Sequence, residues 1–127
     1  MTDRPRILII DDELDMTYLF ASLLSRAGYK VECAGDAASA LLKLESNSFD
    51  LLITDLSLPD MNGLELLRRV RGIDEDVPVI VFTGRDAPGP ALLAAGLRVN
   101  CYLRKGTTSG PELIEAIDHA LSDSPPD

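Results

Sequence analysis

The chain has 127 residues, of which 46% are hydrophobic, and a formal net charge of −9. This composition suits one domain with a single buried core, and it excludes an intrinsically disordered chain. No apolar run is long enough to span a bilayer and the N-terminus lacks a secretory signal pattern, so we expect a cytoplasmic protein. The negative charge repels phosphate, which argues against nucleic acid binding by this domain.

Apolar runs alternate along the chain with segments of helical periodicity. Continuous apolar runs predict buried strands, and apolar residues at three- and four-residue spacing predict amphipathic helices. The predicted strands cover residues 6–10, 29–34, 51–53, 77–82 and 99–103. Five strands alternating with helices indicate an α/β fold, a three-layer, doubly wound parallel sheet. We expect one domain over residues 1–122 and a tail or linker start over residues 123–127.

Local signals predict where several helices begin and end. Gly28 is expected to end the first helix, Asp36 and Asn62 to cap the second and third, and Gly72 to close the third. The last helix is expected to begin near Ser109 or Gly110. The apolar stripe of the first helix is predicted to comprise Met16, Leu19, Phe20, Leu23, Leu24 and Ala27.

Reactive side chains follow four of the predicted strands, at the point where each strand ends. Asp11 and Asp12 come after the first strand, Asp55 after the third, Thr83 after the fourth and Lys105 after the fifth. Carboxyl ends of parallel strands meet at one edge of the sheet, so we expect these five side chains to line one crevice. Each of them alone is an ordinary helix cap, turn residue or solvated charge, and only their shared position indicates a site.

The chemistry of this crevice favours phosphoryl transfer. Three carboxylates repel one another unless a cation joins them, and carboxylate oxygens with open positions for water and phosphate suit Mg²⁺. Asp55 can then attack phosphorus as a nucleophile, while Thr83 and Lys105 bind phosphoryl oxygens. The residues therefore predict a Mg²⁺-dependent site centred on Asp55.

Four segments carry a family resemblance that extends over nearly the whole chain. They are Ile9-Ile10-Asp11-Asp12-Glu13, Leu52-Ile53-Thr54-Asp55-Leu56-Ser57-Leu58-Pro59-Asp60-Met61-Asn62-Gly63, Val81-Phe82-Thr83-Gly84 and Tyr102-Leu103-Arg104-Lys105. In these segments the chain resembles the receiver domain of two-component response regulators. The resemblance implies a flavodoxin-like strand order 2-1-3-4-5. It also implies transfer of a phosphoryl group to Asp55 from a histidine kinase or a histidine phosphotransfer protein.

The resemblance assigns the metal ligands residue by residue. Asp12 matches a direct Mg²⁺ ligand, and Asp11 matches the carboxylate that acts mainly through metal-bound water. Asp55 matches both the phosphoacceptor and a ligand, and the backbone carbonyl of Ser57 matches the third protein ligand.

The resemblance also implies a conformational switch. Thr83 and Lys105 match the residues that bind the phosphoryl group, and Tyr102 matches an aromatic residue that turns inward when the threonine moves. A half-buried strand tyrosine is the alternative interpretation of Tyr102. The expected response is a changed face around the fourth helix of the family, the fifth strand and the last helix. A downstream effector domain or protein, or a phosphorylation-dependent dimer, would read that change.

The sequence departs from the family pattern at two places. Gly106 stands where the family usually has a cis-proline, so we expect Lys105 to be less rigidly placed. Pro88-Gly89-Pro90 precedes a helical segment at residues 91–95, which predicts a short helix on the output face. Ser57 and Arg85 occupy positions that in the family tune the lifetime of the phosphoryl group, and we expect Arg85 to shield that group from water.

Three other functions compete with the signalling switch, which phosphorylates and dephosphorylates itself but turns over no released substrate. A pseudo-receiver would bind partners without being phosphorylated. A Mg²⁺-dependent aspartyl phosphatase would need a second aspartate two residues after its nucleophile, where this chain has Glu13 or Leu14. A flavin or nucleotide site would need a glycine-rich loop after the first strand, where the loop is acidic.

Overall fold

A computed structural model describes residues 4–84 and 96–122 of the chain. Within these residues five parallel strands form one sheet in the order β2-β1-β3-β4-β5, which confirms the predicted fold. The strands are β1 (Arg6–Ile10), β2 (Lys30–Ala34), β3 (Leu51–Thr54), β4 (Val79–Thr83) and β5 (Cys101–Arg104). The helices in the described part are α1 (Leu14–Arg26), α2 (Ala37–Ser46), α3 (Gly63–Ile73) and α4 (Gly110–Ser122). Pro88-Gly89-Pro90 and the helical segment predicted at residues 91–95 lie outside the described residues.

The core has two parts, one on each face of the sheet. Strand residues alternate between the faces, so Leu8 and Ile10 pack with α2 and α3 while Ile7 and Ile9 pack with α1 and α4. All four of these side chains are buried, as expected for a strand covered on both faces. None of the described helices is long and apolar enough to cross a bilayer.

The predicted N-caps are confirmed by their hydrogen bonds. The Asp36 carboxylate accepts a hydrogen bond from the Ser39 N–H at 2.7 Å, and the Asn62 amide oxygen accepts one from the Glu65 N–H at 3.1 Å. At α4 the Ser109 hydroxyl accepts from the Glu112 N–H, and the Glu112 carboxylate accepts from the Ser109 N–H. Each cap satisfies backbone donors that a helix start leaves unpaired.

The predicted apolar stripe of α1 was wrong at Leu19 and also at Ala27, which is exposed at the C-cap of the helix. Leu19 is 68% exposed, whereas Thr17, which the periodicity left out, is buried and donates its hydroxyl to the Glu13 carbonyl oxygen at 2.9 Å. The row of Met16, Phe20 and Leu24 faces the sheet, because residues four apart share a helix face. Leu19 lies to one side of this row and therefore faces solvent.

The end of α3 also differs from the prediction. Gly72 lies inside the helix, which continues to Ile73 and ends at the C-cap Asp74. The Asp74 carboxylate accepts hydrogen bonds from the N–H groups of Asp76 and Val77, so an aspartate turn and not the glycine redirects the chain.

Candidate acidic site at the carboxyl edge of the sheet

Two buried aspartates follow directly after neighbouring strands and lie side by side. β1 and β3 pair with Ile10 opposite Thr54, so the next residues, Asp11 and Asp55, emerge together at the edge of the sheet. Asp11 is 4% exposed and Asp55 is 5% exposed, while Asp12 is exposed to solvent. The predicted convergence of these carboxylates is therefore confirmed.

Lys105 provides the positive charge of the site. Its ammonium nitrogen lies 2.6 Å from Asp11 Oδ2, 2.8 Å from Asp55 Oδ2 and 2.9 Å from Glu13 Oε1. Burial alone would lower the pKa of Lys105, but hydrogen bonds to these three carboxylates outweigh it and raise the pKa above its ordinary value. The lysine is thus held in its charged form between the two buried aspartates.

Asp11 bears a desolvation cost, because its carboxylate is buried. Burial raises its pKa above the ordinary value, and hydrogen bonds from Lys105 and from the backbone N–H of Glu13 offset only part of that rise. The Glu13 N–H lies 2.9 Å from Asp11 Oδ1, so both carboxylate oxygens of Asp11 have a donor. A second cation at this position would relieve the remaining cost of the buried charge.

Asp55 is held at the start of a tightly closed loop. Its Oδ1 accepts the Ser57 N–H at 3.0 Å, its Oδ2 accepts Lys105, and its own N–H donates to the Ile10 carbonyl. Ser57 then pairs with Asn62 across the loop in an isolated β-bridge. Both oxygens of the candidate acceptor are consequently fixed in direction.

Gly63 allows this loop to close. A Cβ atom at this position would lie 2.5 Å from Leu56 Cδ2 and 2.8 Å from Leu56 Cα, closer than such atoms approach each other. Only glycine lets the first turn of α3 pack against the residue that follows Asp55. The Asn62-Gly63 pair therefore caps α3 and also allows the shape of the loop over residues 55–62, which we call the acceptor loop after the candidate acceptor Asp55.

Thr83 and Tyr102 lie on the neighbouring strands β4 and β5. Thr83 is the last residue of β4 and 4% exposed, and its carbonyl oxygen accepts the Lys105 N–H at 2.9 Å. Tyr102 lies on β5 opposite Val81 and is 37% exposed. Ser57 is exposed in the acceptor loop, and Arg85 lies outside the described residues.

The expectation that Lys105 is loosely placed does not agree with the structure. Its side chain is 6% exposed and has three carboxylate partners. Gly106 follows with φ +86°, a left-handed conformation that proline, fixed near −65°, cannot adopt. The lysine is therefore held by ion pairs at a turn that glycine permits, with no cis peptide bond among the described residues.

The carboxylates fit the ligand set of a divalent cation. Asp11, Asp12 and Asp55 can each offer one oxygen atom, and these atoms all lie within 4.8 Å of one another. Hard oxygen donors facing solvent on one side suit Mg²⁺, which keeps several of its waters. The buried charge on Asp11 is a further reason for a cation to bind here.

Two residues near the site were given no role by the sequence. Glu13 contributes the third carboxylate around Lys105, although it stands 92 residues away in the chain. Asp60, in the acceptor loop, accepts the N–H groups of Ala37 and Ala38 at 2.9 and 3.0 Å and so ties the loop to the start of α2. The acidic run after β1 is a weak signal that Glu13 lies near the site, whereas no sequence signal indicated the contact of Asp60 with α2.

The family model for the response regulator receiver domain matches residues 7–118 of the chain. Among curated relatives, the transcriptional regulatory protein TrcR of Mycobacterium tuberculosis is 42% identical over 82 residues, covering 65% of this chain and 32% of TrcR. The response regulator MprA of the same organism is 35% identical over 100 residues, covering 79% of this chain and 44% of MprA. The chain thus spans less than half the length of either relative.

Solved structures agree with this assignment. The receiver domain protein from Methanospirillum hungatei, described as CheY-like, has a TM-score of 0.87 and 30% identity, with 95% of this chain and 96% of that chain covered. The non-phosphorylated HemR receiver domain from Leptospira biflexa has a TM-score of 0.86 and 26% identity, with 98% and 99% covered. By sequence match, topology and the acidic cluster at the sheet edge, the chain belongs to the family of response regulator receiver domains.

Proposed function

We propose that this domain is a signalling switch that accepts a phosphoryl group on Asp55 from the phosphohistidine of a histidine kinase or histidine phosphotransfer protein. The observation that carries the proposal is the contact of Lys105 Nζ with Asp55 Oδ2 at 2.8 Å, beside a cluster of three aspartates. A nucleophilic carboxylate, a fixed ammonium group and a cation-binding set of oxygens are the parts that phosphoryl transfer requires.

In the proposed reaction, an oxygen of Asp55 attacks the phosphorus of the donor. A phosphorus–oxygen bond forms, the phosphorus–nitrogen bond breaks, and its electron pair returns to the imidazole ring. Asp11, Asp12, Asp55 and the Ser57 carbonyl would hold a Mg²⁺ ion, which when bound supplies positive charge next to the phosphoryl oxygens. The hydrogen bond from the Ser57 N–H to Asp55 Oδ1 orients the carboxylate for the attack.

Lys105 and Thr83 would bind the transferred group. The Lys105 ammonium already lies next to Asp55 and can move to a phosphoryl oxygen as negative charge arrives there. The Thr83 carbonyl binds the Lys105 N–H, so the two residues respond together to a change at the site. We infer that Thr83 donates its hydroxyl to the phosphoryl group and that Tyr102 then turns inward, altering the surface around β5 and α4.

The donor protein would reach Asp55 across a groove beside the site. The groove has a volume of about 760 Å³ and lies between α1 and the loop after β5. Leu14 and Leu19 on α1 are 55% and 68% exposed, and Asp12, Glu13 and Asp15 give the same surface a negative charge. A donor with apolar residues among basic ones fits this surface.

A change at the switch surface would then pass to an effector, as a domain of a longer chain, a separate protein or a second copy. The support is that TrcR and MprA, with which the chain shares this domain, are each more than twice as long as the matched segment and are named as regulators. The domain would act as a switch and not as a turnover enzyme. Its surface charge disfavours direct contact with nucleic acid, and we place it in the cytoplasm with its kinase.

Incubation with acetyl phosphate and Mg²⁺, followed by intact mass measurement, tests the proposal. The wild type should gain the mass of one phosphoryl group, and Asp55→Asn should gain none. Omission of Mg²⁺ should abolish the gain. A wild type that gains no mass would refute the proposal and favour a pseudo-receiver that binds partners independently of phosphorylation.

A further inference from the structure

Glu13 occupies the N-cap position of α1 but does not use its side chain as a cap. Asp, Ser, Thr and Asn are preferred at this position because their side chains accept the first backbone N–H groups of the helix. Glu13 makes no such hydrogen bond. Its carboxylate instead reaches across the site to Lys105 Nζ at 2.9 Å.

The backbone of Glu13 is fixed by three other hydrogen bonds. Its N–H donates to Asp11 Oδ1 at 2.9 Å, and its carbonyl oxygen accepts from the N–H of Thr17 at 3.0 Å and from the Thr17 hydroxyl at 2.9 Å. Thr17 is buried, so α1 holds this carbonyl firmly. The direction in which the Glu13 side chain leaves the helix start is consequently set by the fold.

The three carboxylates around Lys105 are not equivalent. Asp11 and Asp55 belong to the set of oxygens that can hold a cation, and the Oδ2 atom of each now binds the ammonium group. A cation that shares these oxygens must compete with Lys105 for them. Glu13 lies outside that set, and with a side chain that is 56% exposed it can follow Lys105.

We propose that Glu13 is a positioning residue that keeps hold of Lys105 when Asp11 and Asp55 turn their oxygens toward a cation. By drawing the ammonium group to one side, it frees the two buried carboxylates without letting the lysine leave the site. The inference rests on the proposed function, because it concerns how the same site is loaded with Mg²⁺. It assigns Glu13 an effect on Mg²⁺ affinity that passes through Lys105.

The test is a double-mutant cycle measured as Mg²⁺ affinity by isothermal titration calorimetry with the metal alone. Glu13→Ala should weaken Mg²⁺ binding about threefold, the scale of a partly exposed ion pair. Asp15→Ala removes the same charge from the first turn of α1, where the side chain is exposed, and should change the affinity less than about 1.5-fold. In a Lys105→Met background, Glu13→Ala should lose most of its effect.

Each result has a distinct meaning. Circular dichroism should show Glu13→Ala and Asp15→Ala folded, since both replace surface residues. The Lys105→Met variants are compared with each other at a temperature at which circular dichroism shows both to be folded. Equal effects of Glu13→Ala with and without Lys105, or an effect no larger than that of Asp15→Ala, would overturn the role of Glu13 while leaving the phosphorylation of Asp55 intact. A wild type that neither binds Mg²⁺ nor gains a phosphoryl group would overturn both proposals.

Discussion

Lys105 Nζ lies 2.8 Å from Asp55 Oδ2, and each of the two side chains is 6% exposed. Asp11, with an equally buried side chain, lies 2.6 Å from the same ammonium group. One cation thus compensates two buried carboxylates. Since such charges are costly when unpaired, the stability of this domain depends on a residue of the proposed phosphorylation site.

Lys105→Met should therefore destabilise the domain. It leaves two buried carboxylates without their ammonium partner, and we expect the free energy of unfolding to fall by about 3 kcal/mol at neutral pH without divalent ions. Urea unfolding measures this change. The loss should shrink in acid, because protonation of Asp11, whose pKa is raised by burial, removes an unpaired buried charge.

Lys30→Met is the matched control for this substitution. Lys30 is an exposed lysine on β2, and its replacement should change the free energy of unfolding by less than about 0.5 kcal/mol. Similar losses in the two variants would mean that Lys105 compensates no buried charge.

The turn after Lys105 should not tolerate the family's usual proline. Gly106 has φ +86°, so Gly106→Pro forces the turn to rebuild, while Gly106→Ala costs about 1 kcal/mol from the left-handed backbone alone. We expect Gly106→Pro to lower both the free energy of urea unfolding and the rate of phosphorylation by acetyl phosphate.

Gly28→Ala separates backbone strain from an effect on the site. Gly28 has φ +102°, and like Gly106 it has open space where a Cβ would stand. Its substitution should cost about as much stability as Gly106→Ala but leave the phosphorylation rate unchanged. A Gly106→Pro variant with wild-type stability and rate would show that the turn readily adopts another conformation.

Alkaline pH should weaken the link between Tyr29 and α4. Burial, together with the hydrogen bond to the Asp118 carboxylate, raises the pKa of Tyr29 to about 12. Above about pH 10 the unfolded chain loses this proton while the folded chain keeps it, so the contribution to stability is complete below pH 10 and lost as pH rises through about 12.

Tyr29→Phe should remove that pH dependence. The free energy of urea unfolding of the wild type should decline more steeply between about pH 10 and 12 than that of the variant. Tyr18→Phe, at a tyrosine that is 64% exposed, should keep the wild-type slope. Parallel curves for wild type and Tyr29→Phe would contradict the assigned pKa.

Leu19, an exposed leucine on α1, should affect the rate of phosphotransfer from protein donors only. We expect Leu19→Ala to slow phosphotransfer from a purified histidine kinase that phosphorylates the wild type, by about fivefold for a lost apolar contact of about 1 kcal/mol. Phosphorylation by acetyl phosphate should be unchanged, since that donor needs no docking surface. Leu42→Ala, at a leucine that is 65% exposed on α2, is the control and should behave as wild type with both donors. If the kinase phosphorylates Leu19→Ala and the wild type at equal rates, the groove between α1 and the loop after β5 is not the docking surface of the donor.

The sheet and the main residues of the site followed from local patterns. Asp11, Asp55 and Lys105 each follow the last residue of a strand, and parallel strands bring such residues to one edge whatever the side-chain details. Caps such as Asp36 and Asn62 act within three residues and were equally predictable.

What the sequence could not predict depends on contacts between distant segments. The periodicity of α1 does not show that Leu19 is exposed and Thr17 buried, because the apolar arc of the helix is wider than the surface it covers. Only the packing of the helix decides which edge of that arc is buried. The contact from Glu13 to Lys105 joins residues at opposite ends of the chain, so no local spacing encodes it.

Asp60 connects the acceptor loop to the first turn of α2. The Asp60 carboxylate accepts hydrogen bonds from the N–H groups of Ala37 and Ala38, and these hydrogen bonds lower the pKa of Asp60 below its ordinary value. If the loop shifts when Asp55 is phosphorylated, as proposed, either the first turn of α2 moves with it or Asp60 loses both of these hydrogen bonds. We therefore expect α2, on the side of the sheet opposite α1 and α4, to respond to phosphorylation of Asp55.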